Sequence, residues 1–190
     1  MTGAVLAGGA SRRMGTNKAF ITVDGSPIIT GVLTVLQGLF DERLIIADDV
    51  KLYSGLGAAT LPDAFKGAGS LGGIYTALLH ASSETVFVCA CDMPDINTEA
   101  VRRVITTPLD DALAVVPFIS RRLHPMHALY SQECLTPIEE MIKAGNLRIM
   151  DLFKKIKIKR LTEADFKGLD IRGSVANINT QEELRERGVK

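Results

Sequence analysis

Several short runs in this chain, GAVLA, RLIIA, TVFVCACD and ALAVVPF, are apolar almost throughout instead of at every second position. A strand with one wet face alternates. A strand apolar on both faces must be covered on both, and helices packed on the two sides of a mostly parallel sheet supply that cover. The intervening segments have helical length and spacing, so the pattern predicts a doubly wound α/β fold, a mostly parallel mixed sheet with helices on both faces.

Along the chain, GAVLA reads as a buried strand. SPIITGVLTVLQGLF reads as a helix with Ser26 as N-cap and Pro27 as its first helical residue. RLIIA and a weaker AATLP are strands, SLGGIYTALLHASS is helical, TVFVCACD is a strand, and NTEAVRRVIT is a capped amphipathic helix. After ALAVVPF the rhythm loosens: ISRRLHPMHALY predicts a turn and a returning, antiparallel strand. QECLTPIEEMIKAG and RIMDLFKKI are expected helices, KIKRL a strand, and TQEELRERG a terminal helix.

With 190 residues and 46% hydrophobic content, one domain covering 1–190 is expected. Lys plus Arg equals Asp plus Glu at 22 each, so no polyanion partner is indicated and any electropositive surface must be local. The opening MTGAVLAGG lacks the charged region and long apolar stretch of a signal peptide, and no apolar run approaches the roughly 20 residues of a membrane span. A cytoplasmic protein without membrane or nucleic-acid partners is expected. Its three cysteines are odd in number, and Cys89 and Cys91 lie inside an apolar run, which argues against structural disulfides.

Immediately behind the first strand stands LAGGASRRMGTNKA, with Gly8, Gly9 and Gly15 beside Arg12, Arg13 and Lys18. A glycine-rich turn there lets backbone N–H groups approach an anion, and ligands of open α/β sheets bind at the carboxyl ends of strands. Two common phosphate loops fail on spacing. Lys18 comes three residues after Gly15 and is followed by Ala19, which is not a P-loop, and Gly8-Gly9 does not supply G-x-G-x-x-G. The remaining pattern, L-A-G-G-x-S-x-R-M-G-x-x-K, resembles the signature of the molybdenum cofactor guanylyltransferases, within the wider nucleotidyltransferase fold.

That resemblance implies a Rossmann-like nucleotidyltransferase domain and roles for residues that suit their chemistry. Backbone at Leu6, Ala7, Gly8 and Gly9 would line the nucleotide, while Arg13 and Lys18 would neutralise triphosphate charge. C-D-M-P resembles the family's metal-binding motif and makes Asp92 the implied Mg²⁺ ligand; a turn aspartate before Pro94 is the plain alternative. Asp63, ahead of GSLGGI, is carried over as a nucleotide contact, with Ser70 where the family has proline; a turn residue is the plain alternative. Where relatives often place asparagine after the second strand this chain has Ala47, to which no base contact is assigned.

In the distal half the resemblance points to His124, Arg148, Asn177 and Asn179 as contacts to molybdopterin, through H-P, GNLRIMDLF and N-I-N-T. A planar guanidinium suits phosphate, and side-chain amides match pterin donor and acceptor edges. A turn role for His124 and a capping role for Asn179 remain open. His124 and His127 flank Pro125 without a third ligand, which disfavours zinc, and KKIKIKR reads as a strand with one wet face in preference to an anion patch.

The implied reaction is transfer of GMP from GTP to molybdenum-molybdopterin with release of pyrophosphate. A phosphate nucleophile is ionised at neutral pH, consistent with a chain that shows no Ser-His-Asp or Cys-His arrangement. Molybdoenzyme-specific chaperones and upstream cofactor-biosynthesis proteins are the implied protein partners. Two alternatives stay open: another nucleotidyltransferase, acting on cytidine nucleotides or sugar phosphates, and a non-catalytic nucleotide- or cofactor-binding protein.

Overall fold

The computed structural model describes residues 1–8 and 17–178. The described residues form ten strands: β1 (Thr2–Leu6), β2 (Thr22–Val23), β3 (Ser26–Pro27), β4 (Glu42–Ile46), β5 (Ala59–Leu61), β6 (Thr85–Ala90), β7 (Ala114–Ile119), β8 (Arg122–Leu123), β9 (His127–Ser131) and β10 (Ile158–Thr162). The helices are α1 (Ile28–Gln37), α2 (Gly69–His80), α3 (Thr98–Thr106), α4 (Leu135–Lys143), α5 (Ile149–Lys155) and α6 (Ile171–Ser174). The main sheet runs β10-β7-β9-β6-β1-β4-β5, with β8 attached to β7, and β2 and β3 form a separate ribbon. β1 pairs in parallel with β4 and β6, β4 with β5, and β7 with β10. β9 runs antiparallel to both β6 and β7. The mixed sheet and its returning strand are those expected from the sequence.

Alternate residues of each central strand enter different cores, which explains why both parities are apolar. Val5, Ile45, Phe87, Cys89, Val115 and Leu129 face one side, with α1 and α3. Ala4, Leu6, Leu44, Ile46, Val86 and Val88 face the other, with α2, α4 and α5. Every one of these strand residues is buried. The three cysteines are free thiols and buried. Burial raises Cys89 well above the usual thiol range and pushes Cys91 and Cys134 up to about 12, so all three remain protonated.

Helix α3 starts as expected, with the Asn97 side chain accepting from the N–H groups of Glu99 and Ala100. Helix α1 does not: Ser26 and Pro27 form β3, so Pro27 takes the cap position and the helix begins at Ile28. The Thr22–Pro27 hairpin turns through Asp24 and Gly25, both at positive φ. That tertiary ribbon claims the residues that local propensity would give to the helix. The basic run divides as well. Its first lysines end α5 and the strand starts only at Ile158, where Lys159 binds Asp110 at 2.6 Å, while Lys157 pairs with Asp111. Paired lysines on and just before this outermost strand suit a sheet edge.

After β10, a 3₁₀ turn (Glu163–Phe166) and α6 carry the chain back over the α1/α3 face. Asn97 N–H donates to Ser174 Oγ at 2.9 Å, and Ile178 N–H donates to the Asp92 carbonyl at 3.0 Å. This return has no clear periodic signal. The expected helix TQEELRERG lies outside the described residues. Among the described residues no helix is long and apolar enough to cross a membrane.

Candidate functional site

The parallel strands end along one edge of the sheet, and strand register decides which residues meet there. Leu6 and Ala90 are direct partners in the β1–β6 pair, and Cys91 N–H continues the ladder to the Leu6 carbonyl at 3.2 Å. Gly8 and Asp92 therefore emerge side by side, each two residues beyond its strand. The Ala7 N–H donates to the Ile46 carbonyl at 2.8 Å, which holds the exit of β1 in line with the sheet.

Lys18 re-enters at this point in a 3₁₀ turn capped by Asn17, whose Oδ1 accepts from Ala19 N–H at 3.1 Å. Its ammonium stands 3.8 Å from Asp92 Oδ2 and donates to the Ile178 carbonyl at 2.9 Å. Only 14% of the Lys18 side chain and 15% of the Asp92 side chain are exposed, so the pair is sheltered while retaining a face to solvent. Burial raises the Asp92 carboxyl above its ordinary range, and the Lys18 charge partly opposes that rise. Gly9 and Arg13 lie outside the described residues.

Tyr53 was not foreseen as part of this arrangement. Its hydroxyl donates to the Ala7 carbonyl at 3.2 Å and accepts from Asn17 Nδ2 at 2.8 Å, tying together the two flanks of the glycine-rich segment. Burial raises the phenol above its usual range and keeps it a donor. Local sequence has no means of pairing residue 53 with residues 7 and 17.

Asp63 lies two residues past β5, three strands across the sheet from β6 and so about 14 Å away by interstrand spacing. Its Oδ1 accepts from Phe65 N–H at 3.0 Å and from the Thr76 hydroxyl at 3.1 Å, and burial raises its carboxyl. It organises the turn into α2. The glycine pair of GSLGGI fits that helix to the sheet: a Cβ on Gly72 would stand 2.9 Å from both Asp63 carboxylate oxygens, and one on Gly73 would stand 2.7 Å from Leu6 Cδ1. Ala47 is buried and its N–H is bound to the Leu61 carbonyl.

The distal candidates are more dispersed. His124 follows the β7–β8 hairpin on the same edge, half-buried, with Nε2 3.3 Å from the Ile119 carbonyl. Burial lowers its pKa, and that hydrogen bond opposes the shift. His127 is separate from it in role: the ring is fully buried edge-on to Phe87, neither nitrogen has a hydrogen-bond partner, and burial pushes its pKa down to about 3. No group of three or more His, Cys, Asp or Glu suited to a metal occurs among the described residues. Arg148 is exposed at the start of α5. Asn177 precedes Ile178 in the return segment, and Asn179 lies outside the described residues.

Residues 3–160 match the family of the MobA-like NTP transferase domain. A relative named molybdenum cofactor guanylyltransferase, from Desulfosudis oleivorans, is 35% identical over 188 residues, covering 98% of this chain and 93% of its own length. Among solved structures, molybdopterin-guanine dinucleotide biosynthesis protein A from Archaeoglobus fulgidus superposes with a TM-score of 0.84 at 26% identity, covering 98% of this chain and 96% of that one. The 2-C-methyl-D-erythritol 4-phosphate cytidylyltransferase of Thermus thermophilus shares the fold, with a TM-score of 0.70 at 17% identity, covering 97% of this chain and 95% of that one. With Lys18 set beside the carboxylate that follows β6, and a family match spanning most of its length, the chain belongs to the MobA-like NTP transferase family.

Proposed function

We propose that this protein, working as one nucleotidyltransferase domain, transfers GMP from GTP to molybdenum-molybdopterin and releases pyrophosphate. The observation that carries the reading is the meeting of Lys18 and Asp92, 3.8 Å apart, where β1 and β6 end together. A cation and a carboxylate sheltered beside a glycine-bearing turn can hold a triphosphate through charges of both signs, the carboxylate acting through a metal. The name carried by the Desulfosudis relative supports guanine as the base and the molybdenum cofactor as the acceptor.

In the reaction, a terminal phosphate oxygen of the acceptor forms a bond to the α-phosphorus of GTP. The bond from that phosphorus to the α–β bridging oxygen breaks, and pyrophosphate leaves with its electron pair. The backbone of Leu6, Ala7 and Gly8 lines the nucleotide, and Gly9 is assigned the same contact. Lys18 follows the negative charge as it moves onto the leaving group, and Arg13 is assigned the same task. Asp63 shapes the far wall through the turn into α2. His124, Arg148, Asn177 and Asn179 orient the acceptor, which brings two anions into line without a protein nucleophile.

The donor set at Asp92 fits Mg²⁺, a hard cation that uses one or two carboxylates and completes its shell with water and substrate phosphates. The residue offers one oxygen-only ligand at a strand end, with no nearby thiolate or imidazole cluster among the described residues to favour a softer metal. When bound, Mg²⁺ supplies Lewis-acid stabilisation of phosphoryl charge. Lys18 holds the carboxylate within reach of the triphosphate. Molybdoenzyme-specific chaperones and upstream cofactor-biosynthesis proteins are the proposed delivery partners.

The deciding experiment is pyrophosphate release with GTP, CTP, ATP and UTP, with and without molybdenum-molybdopterin. Release that requires both GTP and the acceptor is expected. A clear preference for CTP overturns the guanine assignment. GTP binding without acceptor-dependent release supports the alternative of a non-catalytic binding protein.

A further inference from the structure

Ile178 makes two backbone contacts that converge on the pair described above. Its N–H donates to the Asp92 carbonyl at 3.0 Å, and its carbonyl accepts from the Lys18 ammonium at 2.9 Å, nearer than the 3.8 Å between Lys18 and Asp92 Oδ2. One peptide-bearing residue thus grips both the strand-end turn that carries the carboxylate and the cation that faces it. The side chain anchors this grip: Ile178 is 3% exposed and packs in the α1/α3 core. Ser174 pins the same segment one turn earlier by accepting from Asn97 N–H.

The physical consequence follows from the flexibility of lysine. An ammonium on a four-carbon stem has many rotamers, and holding it in one place costs conformational entropy. A carbonyl acceptor at 2.9 Å selects one of those placements in advance, beside the carboxylate. A carbonyl also attracts the cation without adding a counter-charge, so this contact leaves the Lys18 charge to be shared between Asp92 and a phosphate.

We propose that Ile178 is a positioning residue for nucleotidyl transfer, its backbone holding Lys18 and the Asp92 turn in register before the triphosphate arrives. The inference rests on the reading of Lys18 as a triphosphate contact. It adds that the segment returning from the C-terminal side, outside the β1–β6 unit, sets the geometry of the donor site.

The test changes single backbone atoms. Replacing Asn179 by its α-hydroxy analogue leaves every side chain in place but turns the Ile178 carbonyl into an ester carbonyl, a weaker acceptor. Pyrophosphate release and GTP affinity are measured for the parent, the ester protein, Lys18→Met, and the two combined, together with melting temperature. The ester alone is expected to lower kcat/KM for GTP about three- to tenfold, the scale of one weakened charged hydrogen bond, at a nearly unchanged melting temperature. In the Lys18→Met background the ester is expected to change GTP affinity less than about twofold, because the two changes act on one contact.

Ser174→Ala serves as the structural control. It loosens the same segment without touching Lys18, so a lowered melting temperature with GTP affinity and turnover within about twofold of the parent is expected. The proposal is overturned if the ester protein matches the parent, if the ester weakens GTP binding equally with and without Lys18, or if Ser174→Ala reproduces the ester's loss. Parental turnover and GTP affinity in Lys18→Met alone would instead remove Lys18 from the mechanism, a failure of the underlying reading that this set of proteins separates from the others.

Discussion

The half of the molecule proposed to hold the donor, β1 through β6, and the half proposed to hold the acceptor, β7 onward, share one sheet edge but assemble it by different means. In the donor half, Leu6 and Ala90 are register partners, so Gly8 and Asp92 meet because their strands do. In the acceptor half, His124 sits behind a hairpin, Arg148 is exposed at the start of a helix, and Asn177 arrives on a return segment from beyond β10. Parallel strand ends fix their residues through sheet register. Loops and helix ends bring in residues that no shared register holds.

The largest expected effect tests the donor half directly. Lys18→Ala and Asp92→Ala should each lower pyrophosphate release by about 100- to 1000-fold while the proteins remain folded by circular dichroism. Parental rates in both variants would break the contrast at its strongest point. Packing sharpens it next: Gly73→Val forces atoms into the Leu6 contact and should destabilise by about 1–3 kcal/mol in denaturant unfolding. Met150→Ala, at a position 45% exposed in the acceptor half, should stay within about 0.5 kcal/mol. Equal losses at the two positions would contradict the difference in packing.

The seam between the halves can be read by pH, because β9 pairs with both β6 and β7 and opens with His127. The folded ring has a pKa pushed down to about 3, so below the ordinary histidine range near 6.5 the unfolded chain binds a proton that the folded chain does not. Stability is fully present above that range and falls by up to about 1.4 kcal/mol per pH unit on acidification, until the buried ring itself titrates. Asp63 and Asp92, with raised folded values, act in the opposite sense: their contribution is fully present below the unfolded carboxyl range and lost as pH rises through their folded values. His127→Phe should therefore flatten the decline between pH 6 and 5 in urea titrations. An unchanged slope would show that the ring is solvated.

The smallest effect belongs to the acceptor surface. Arg148→Ala should raise KM for the acceptor about three- to tenfold and leave the dissociation constant for GTP within about twofold, measured by calorimetry and steady-state kinetics. A weakened GTP affinity would move Arg148 into the donor half and blur the division.

Much of the fold from β1 through β6 was legible because its signals are local. Unbroken apolar runs identify strands covered on both sides, and the glycine-rich basic segment behind the first of them carries the family signature. An acid closing TVFVCACD marks a strand end. The hairpin that takes Ser26 and Pro27 from α1 was not legible, since pairing with Thr22 and Val23 outweighed the local start signal. Nor was Tyr53, whose bonds to Ala7 and Asn17 join positions far apart in the chain.

Residue order alone therefore determined the α/β architecture and the family signature, because periodicity and spacing are properties of neighbouring residues. Only the tertiary structure decided that Lys18 comes within 3.8 Å of Asp92, that Gly72 and Gly73 seat α2 against Asp63 and Leu6, and that the Ile178 peptide closes over the pair. Those contacts depend on sheet register and on the path of the returning chain. Both are set by burying apolar faces across the whole molecule, and no short stretch of sequence contains that information.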